Sequence, residues 1–280
     1  MLALAEVNRR FLSAAVRLLH FRLTQASALP DYRLILECYH PIAKISTPYL
    51  YCDYLYTEQL GSEDVAEASS LAAPLGLVGL RGMYSHFRPV VQEENRRARF
   101  RYPTQAQARS EAGGESSESQ APPEVELASH DIVLDEGELF SQLCTVTNMV
   151  KIGPKRGLFY SHVNISDRVV RIWRDWLATQ ATRVLRDRSR GSTSSEPRDD
   201  IILWTNHQTR NVGLRFRVIE REAFPGAPLL VGANEDAPVS YRLQYEELLV
   251  RTNQLLLAVE QSEAQEAATS GNAIVIASVD

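Results

Sequence analysis

Two runs decide the fold: Arg33-Leu34-Ile35-Leu36-Glu37-Cys38-Tyr39 and Tyr49-Leu50-Tyr51-Cys52-Asp53-Tyr54-Leu55-Tyr56. Both are short and rich in branched and aromatic β-formers, and Pro41 and Pro48 punctuate the connector at 40–47. They read as adjacent antiparallel strands. Downstream, similar runs fall at 75–80, 97–102, 130–134, 143–152, 158–163, 201–204, 212–219 and 239–245. Arg97-Ala98-Arg99-Phe100-Arg101-Tyr102 alternates apolar and charged positions, as a half-exposed strand should. Gly153-Pro154-Lys155-Arg156-Gly157 reads as a β-turn, and the turn-rich 206–211 joins two strands.

Helical spacing interrupts this pattern in three places. Residues 2–19 place Leu4, Val7, Phe11, Ala14, Ala15 and Leu18 on one stripe. Asn164-Ile165-Ser166-Asp167 looks like a helix start, with Val169, Ile172, Trp173, Trp176 and Leu177 following on one face to about residue 185. Residues 246–261 carry Leu249, Thr252, Leu256 and Val259 at helical spacing; the alternative for this span is two strands broken near Thr252-Asn253. Residues 104–124 and 188–199 are low in complexity and too poor in apolar side chains to offset the entropy of ordering, so they read as disordered insertions. The expected class is α+β: an N-terminal amphipathic helix (1–22), a mainly antiparallel strand-rich domain (30–262) with one or two packed helices, and a flexible tail (263–280).

Composition bounds the function. The 280 residues are 44% hydrophobic and 23% charged, which excludes collagen-like, wholly disordered and disulfide-scaffold classes. A net charge of −5 argues against a general nucleic-acid binder. Three cysteines in a chain long enough to build a core suit a reducing compartment. No apolar run approaches the roughly 18–20 residues that span a bilayer. The expectation is an intracellular protein of cytoplasm or nucleus, with no membrane or nucleic-acid partner. Only Lys44, Lys151 and Lys155 are lysines among 30 basic residues, a bias that base composition alone can produce.

No catalytic signature stands out. Cys38-x-His40 with Cys52-Asp53 offers metal-ligating atoms, but the spacing is not the paired C-x-x-C of a structural zinc site. The expectation is no metal and no cofactor. His20, His86, His130, His162 and His207 form no H-E-x-x-H or related motif, and each reads as a single imidazole satisfied by a hydrogen bond. There is no G-x-S-x-G and no P-loop. The basic run at 96–102 reads as a solvated strand face or, functionally, as a patch for an acidic or phosphorylated peptide.

The most specific feature is Leu2-Ala3-Leu4-Ala5-Glu6-Val7-Asn8-Arg9-Arg10-Phe11, which resembles the second half of an F-box. In that motif a leucine-rich helix with a "V-[CSN]-[RK]-x-[FW]" run packs on the adaptor subunit of a cullin–RING ubiquitin ligase. The F-box would be truncated at its N-terminus, since its Leu-Pro opening has no counterpart before Leu2. Other segments look similar to the region following the F-box in filamentous-fungal F-box proteins. They are Leu34-Ile35-Leu36-Glu37-Cys38-Tyr39-His40-Pro41, the run from Ile165 to Leu177, and Tyr245-Glu246-Glu247-Leu248-Leu249.

The resemblance implies a non-enzymatic substrate receptor of an SCF-type ubiquitin ligase. Leu4, Val7, Asn8 and Phe11 would bind a Skp-type adaptor and, through it, a cullin scaffold. An unidentified protein target would sit on the strand-rich domain. The best substrate-binding candidates are Tyr51, Tyr54 and Tyr56 on one strand and Arg97, Arg99 and Arg101 on another, because aromatics and arginine dominate binding hot spots. The alternative is a free-standing peptide- or glycan-binding β-rich module.

Overall fold

β1 (Tyr32–Tyr39) and β2 (Leu50–Gln59) pair antiparallel, with Leu34 opposite Cys52 and Leu36 opposite Leu50, as their sequences predict. They sit in the middle of one large antiparallel sheet. The computed structural model describes residues 8–42, 47, 49–60, 77–91, 127–153, 158–190, 201–221, 237–269 and 274–275. The other strands are β3 (Met83–Val90), β4 (Ser129–Leu134), β5 (Phe140–Ile152), β6 (Leu158–Trp173), β7 (Ile202–Trp204), β8 (Val212–Arg221), β9 (Val239–Arg251) and β10 (Ile274–Val275). Their order across the sheet is β10-β6-β5-β1-β2-β3-β9-β8-β7. β3 and β4 share one edge of β9: β3 takes residues 248–251 and β4 takes 239–244.

Among the described residues four helices accompany the sheet: α1 (Arg9–Ser27), α2 (Leu77–Arg81), α3 (Arg174–Arg190) and α4 (Thr252–Thr269). The α+β, strand-rich class is therefore as the sequence predicts. Leu177 and Ala181 of α3 and Leu255 and Ala258 of α4 join the main core, which takes Leu34, Leu36 and Cys38 from β1. α1 lies outside α4. Val16 and Leu23 pack with Leu80, Met83 and Leu256, and Arg22 reaches Glu260 at 2.6 Å. The sheet curls. β6 and β7 stand far apart in strand order, yet Ser166 Oγ and Thr205 Oγ1 are 3.4 Å apart, and α3, which follows β6, packs on β8.

Four elements differ from the sequence reading. α1 opens at Arg9, because Asn8 is extended (φ −154°) and its Oδ1 accepts from the Arg10 amide at 2.9 Å, a side-chain N-cap, and residues 2–7 of the expected helix lie outside the described residues. It runs past residue 19 to Ser27, since Leu23 and Ala26 continue the buried stripe, and it stops before Leu29 (φ +47°) and Pro30.

The helix expected from residue 164 is instead the second half of β6. Val170 and Ile172 are buried while Val169, Arg171 and Trp173 are exposed, so the period is two, and the helix waits until Arg174. α3 continues through residue 190, so residues 188–190 of the second expected insertion are helical.

β9 continues to Arg251 where a helix was expected from 246. Leu248, Leu249 and Val250 are all buried, as in a strand covered on both faces, which reads as a continuous apolar run. α4 begins at Thr252 and runs on to Thr269, past the expected start of the tail. Ser262 there is buried against Ser161, and Glu266 pairs with Lys151 at 2.9 Å.

Of the strand expected at 75–80, residues 77–80 belong to α2 instead, and β3, which follows it, was not expected. Its burial on both faces, with Ser85 and His86 inside, hides the alternation that marks a half-exposed strand. The insertion at 104–124, the basic strand at 97–102 and residues 154–157 of the expected turn lie outside the described residues.

Candidate functional site

Side-chain parity assigns the two faces of the sheet. On β3, Phe87 points into the main core, so Tyr84 and His86 point to the opposite face. Register carries that face across four more strands: Tyr56 and Glu58 on β2, Glu247, Leu249 and Arg251 on β9, Gly213 and Arg215 on β8, and Trp204 on β7. Two irregularities shape it. β2 is bulged at Leu55, between Tyr54 and Tyr56, and β9 is bulged at Glu246, opposite Arg215 and Phe216 of β8. A bulge adds one residue and so reverses the faces beyond it. Tyr54 consequently lies edge-on to Phe87 at 5.7 Å between centroids, whereas Tyr56 stacks on His86 at 4.4 Å and 14°.

At the centre of this face is a closed charge cluster. His86 is fully buried, and its Nδ1 donates to Glu247 Oε2 at 2.9 Å. Arg215 Nη1 donates to the same oxygen at 2.6 Å, and the Tyr56 hydroxyl reaches the same carboxylate at 3.4 Å. His86 Nε2 lies 3.2 Å from Glu58 Oε1 without the alignment of a hydrogen bond. Burial pushes the Glu247 carboxyl up, but the His86 hydrogen bond and the Arg215 charge outweigh it and hold the group below the usual carboxylate range. Burial and the neighbouring carboxylates push the Tyr56 phenol up. With the imidazole stacked on Tyr56 and flanked by the Glu58 and Glu247 carboxylates, this cluster joins four strands electrostatically.

Beside it lies an open depression of about 290 Å³ lined by Leu60, Arg81, Gly82, Tyr84, Trp204, Arg210 and Arg251. Tyr84 organises it. Its hydroxyl donates to the Arg210 carbonyl at 2.7 Å and accepts from Arg251 Nε and Nη2 at 3.2 and 2.9 Å. The Arg251 guanidinium stands over the Tyr84 ring at 5.4 Å, and that of Arg210 over Trp204 at 5.7 Å. The loop carrying Arg210 is tied down: Asn206 Oδ1 accepts from the Gln208 and Thr209 amides, and Arg210 takes φ +47°. Among the described residues, none of these three arginines meets a carboxylate.

The chain matches no known family, no curated protein and no solved structure. Among the described residues no helix is long and apolar enough to cross a membrane.

Of the expected substrate-binding residues that are described, Tyr51 and Tyr56 lie on this face, and Tyr56 is the one that joins the cluster. Tyr54 hydrogen-bonds Thr57 on the core side, and Tyr51 packs with Tyr49 and Ile35 in a separate cluster farther along the sheet. Arg97, Arg99 and Arg101 lie outside the described residues, as do Leu4 and Val7. Asn8 serves as the N-cap of α1.

Phe11 is on α1 and 52% exposed; Leu18 and Phe21, also outward, are 40% and 57% exposed. Residues 11, 14, 18 and 21 recur at helical spacing, so α1 carries a second apolar stripe besides the one it buries on α4.

The cysteines and acids weighed for a metal do not form a centre. Burial pushes the Cys38 thiol up to about 12 and raises Cys52 as well, so both stay protonated inside the core. His40 Nδ1 instead accepts from the Ile42 amide at 3.4 Å. Among the described residues no group of three or more His, Cys, Asp or Glu side chains is arranged to hold a metal ion.

Arg81, Tyr84, Trp204, Arg210 and Arg251 were missed from sequence. They come from three segments, 81–84, 204–210 and 251, and the one local signal was the Trp204–Arg210 stretch with its turn-forming Asn206.

Proposed function

We propose that the protein is a non-enzymatic substrate receptor that docks a Skp-type adaptor of a cullin–RING ubiquitin ligase through α1 and presents a protein target with its sheet domain. The observation that carries this reading is the exposed stripe of Phe11, Leu18 and Phe21. Large apolar side chains in a row on one helix face, with the opposite face already buried, are the mark of a helix awaiting a second partner. The F-box resemblance at 2–11 supplies the identity of that partner. The receptor's contribution to rate would be proximity, which needs no catalytic side chain.

Co-purification of the tagged full chain with a Skp-type adaptor tests the proposal. Phe11→Ala combined with Phe21→Asp should remove adaptor capture by at least tenfold while the unfolding midpoint stays unchanged, because both side chains are exposed. Failure of the wild-type chain to retain the adaptor would overturn the ligase assignment.

A further inference from the structure

We infer that the depression bounded by Leu60, Gly82, Tyr84 and Trp204 is a binding site for the phosphoryl group of a phosphate monoester, a property independent of whether α1 docks an adaptor. Three arginines, Arg81, Arg210 and Arg251, line one concavity. Their mutual repulsion is unfavourable unless an anion offsets it. Two of them are held in place before any ligand arrives. Arg251 is fixed by Tyr84 Oη, and the backbone of Arg210 is fixed by the same hydroxyl through its carbonyl. A left-handed backbone at a non-glycine residue persists only where the surroundings impose it, and such positions concentrate at ligand sites.

Charge and shape select the ligand. A carboxylate would bring one negative charge to three cations. A phosphate monoester brings about −1.5 to −2 and three acceptor oxygens, which suit the forked donors of arginine. Arg251 spends Nε and Nη2 on Tyr84 and keeps Nη1 free for an oxygen. The cavity volume of about 290 Å³ admits the phosphoryl group and the first atoms of its alcohol, not a large ligand. Tyr84 and Trp204, tilted at 56° with centroids 5.5 Å apart, give that alcohol an aromatic wall. The ester has two possible sources, a phosphorylated side chain of a protein or a free phosphorylated small molecule, and both present the same group.

Calorimetric titration of the full chain with phenyl phosphate tests this, with phenyl sulfate as the monoanion of the same shape and sodium chloride at matched ionic strength as the screening control. The expected result is saturable binding of phenyl phosphate that weakens at least tenfold in the Arg81→Gln/Arg210→Asn double variant. Asn tolerates the left-handed backbone at position 210. Arg81→Gln alone, at an exposed side chain, should weaken binding several-fold and guards against misfolding of the double variant. Equal affinity for wild type and a folded variant, equal affinity for phenyl sulfate, or no binding beyond the salt control would each overturn the site. A phosphotyrosine peptide binding more tightly than phenyl phosphate assigns the source to protein side chains, and equal affinity assigns it to free monoesters; either sustains the phosphoryl site. The Phe11→Ala/Phe21→Asp variant should bind phenyl phosphate as wild type does, which separates this site from the adaptor reading.

Discussion

At Gly213 the sheet leaves no room for a side chain. A Cβ there would stand 2.6 Å from Ile202 Cγ2 and 2.9 Å from Trp204 Cε3. The close approach lets the Trp204 indole pack against the backbone of β8 at Gly213 and form one wall of the depression. Gly213→Ala should therefore destabilise the protein by about 1–3 kcal/mol, as overpacking does, and move the Trp204 environment. Chemical denaturation followed by tryptophan fluorescence checks it; an unchanged midpoint with an unchanged spectrum would show that the indole is not seated as described. Tyr54 and Tyr56 make a complementary point. Simple alternation puts both on one face, and only the bulge between them sends Tyr56 to His86 and leaves Tyr54 against Phe87. A bulge has no reliable local signature, because it is set by what each neighbouring strand needs to bury.

Among the elements, the junctions of β6 with α3 and of β9 with α4 are where sequence periodicity misled. Val169 to Leu177 can be drawn on a helix face as readily as on a strand, and the ladder with β5 decides for the strand up to Trp173. Arg174 then locks the corner. Its Nε, Nη1 and Nη2 donate to the carbonyls of Glu138, Ala237 and Asp135 at 2.8, 2.9 and 2.7 Å, tying the turn after β4 and the start of β9 to the head of α3. Arg174→Ala should cost about 1–3 kcal/mol, since hydrogen bonds from a charged donor exceed neutral ones even when partly exposed. Arg174→Lys should recover less than half of that, because an ammonium cannot span three carbonyls in a fork. Urea unfolding of the pair measures both; full recovery by lysine would reduce the contact to simple charge.

Across the whole molecule, acid is the expected weakness. Burial lowers the folded-state pKa of His130 and His162, so both are held neutral while their unfolded counterparts take up protons. Stability from these two is complete above the ordinary imidazole value of about 6.5 and erodes as pH falls below it. Asp131 and Glu247 act lower. Burial raises each, but Arg242 beside Asp131, and His86 with Arg215 beside Glu247, overcome it and hold both carboxyls down. Their contribution is present above the ordinary carboxylate range and is lost as pH falls through their depressed folded-state values. Thermal unfolding between pH 8 and pH 3 should show a plateau, a shallow decline below about pH 6.5 and a steeper one below about pH 4. Glu247→Gln should flatten the last segment. A midpoint that rises on acidification would contradict the burial of these groups.

The amino-acid order by itself determined the class of the molecule. The β-rich pair at 33–39 and 49–56, the strands at 130–134, 201–204 and 212–219, and the amphipathic character of the opening helix follow from periodicity and propensity, which act within a few residues of each other. The tertiary structure alone decided which strands lie side by side, where β6 and β9 give way to helices, and which face of each strand meets its neighbours. It also decided the site. His86, Arg215 and Glu247 gather from three strands, and Arg81, Tyr84, Trp204, Arg210 and Arg251 from three segments far apart in the chain. Such convergence depends on register and curl, which are properties of the assembled sheet and are fixed by the burial of all its strands at once.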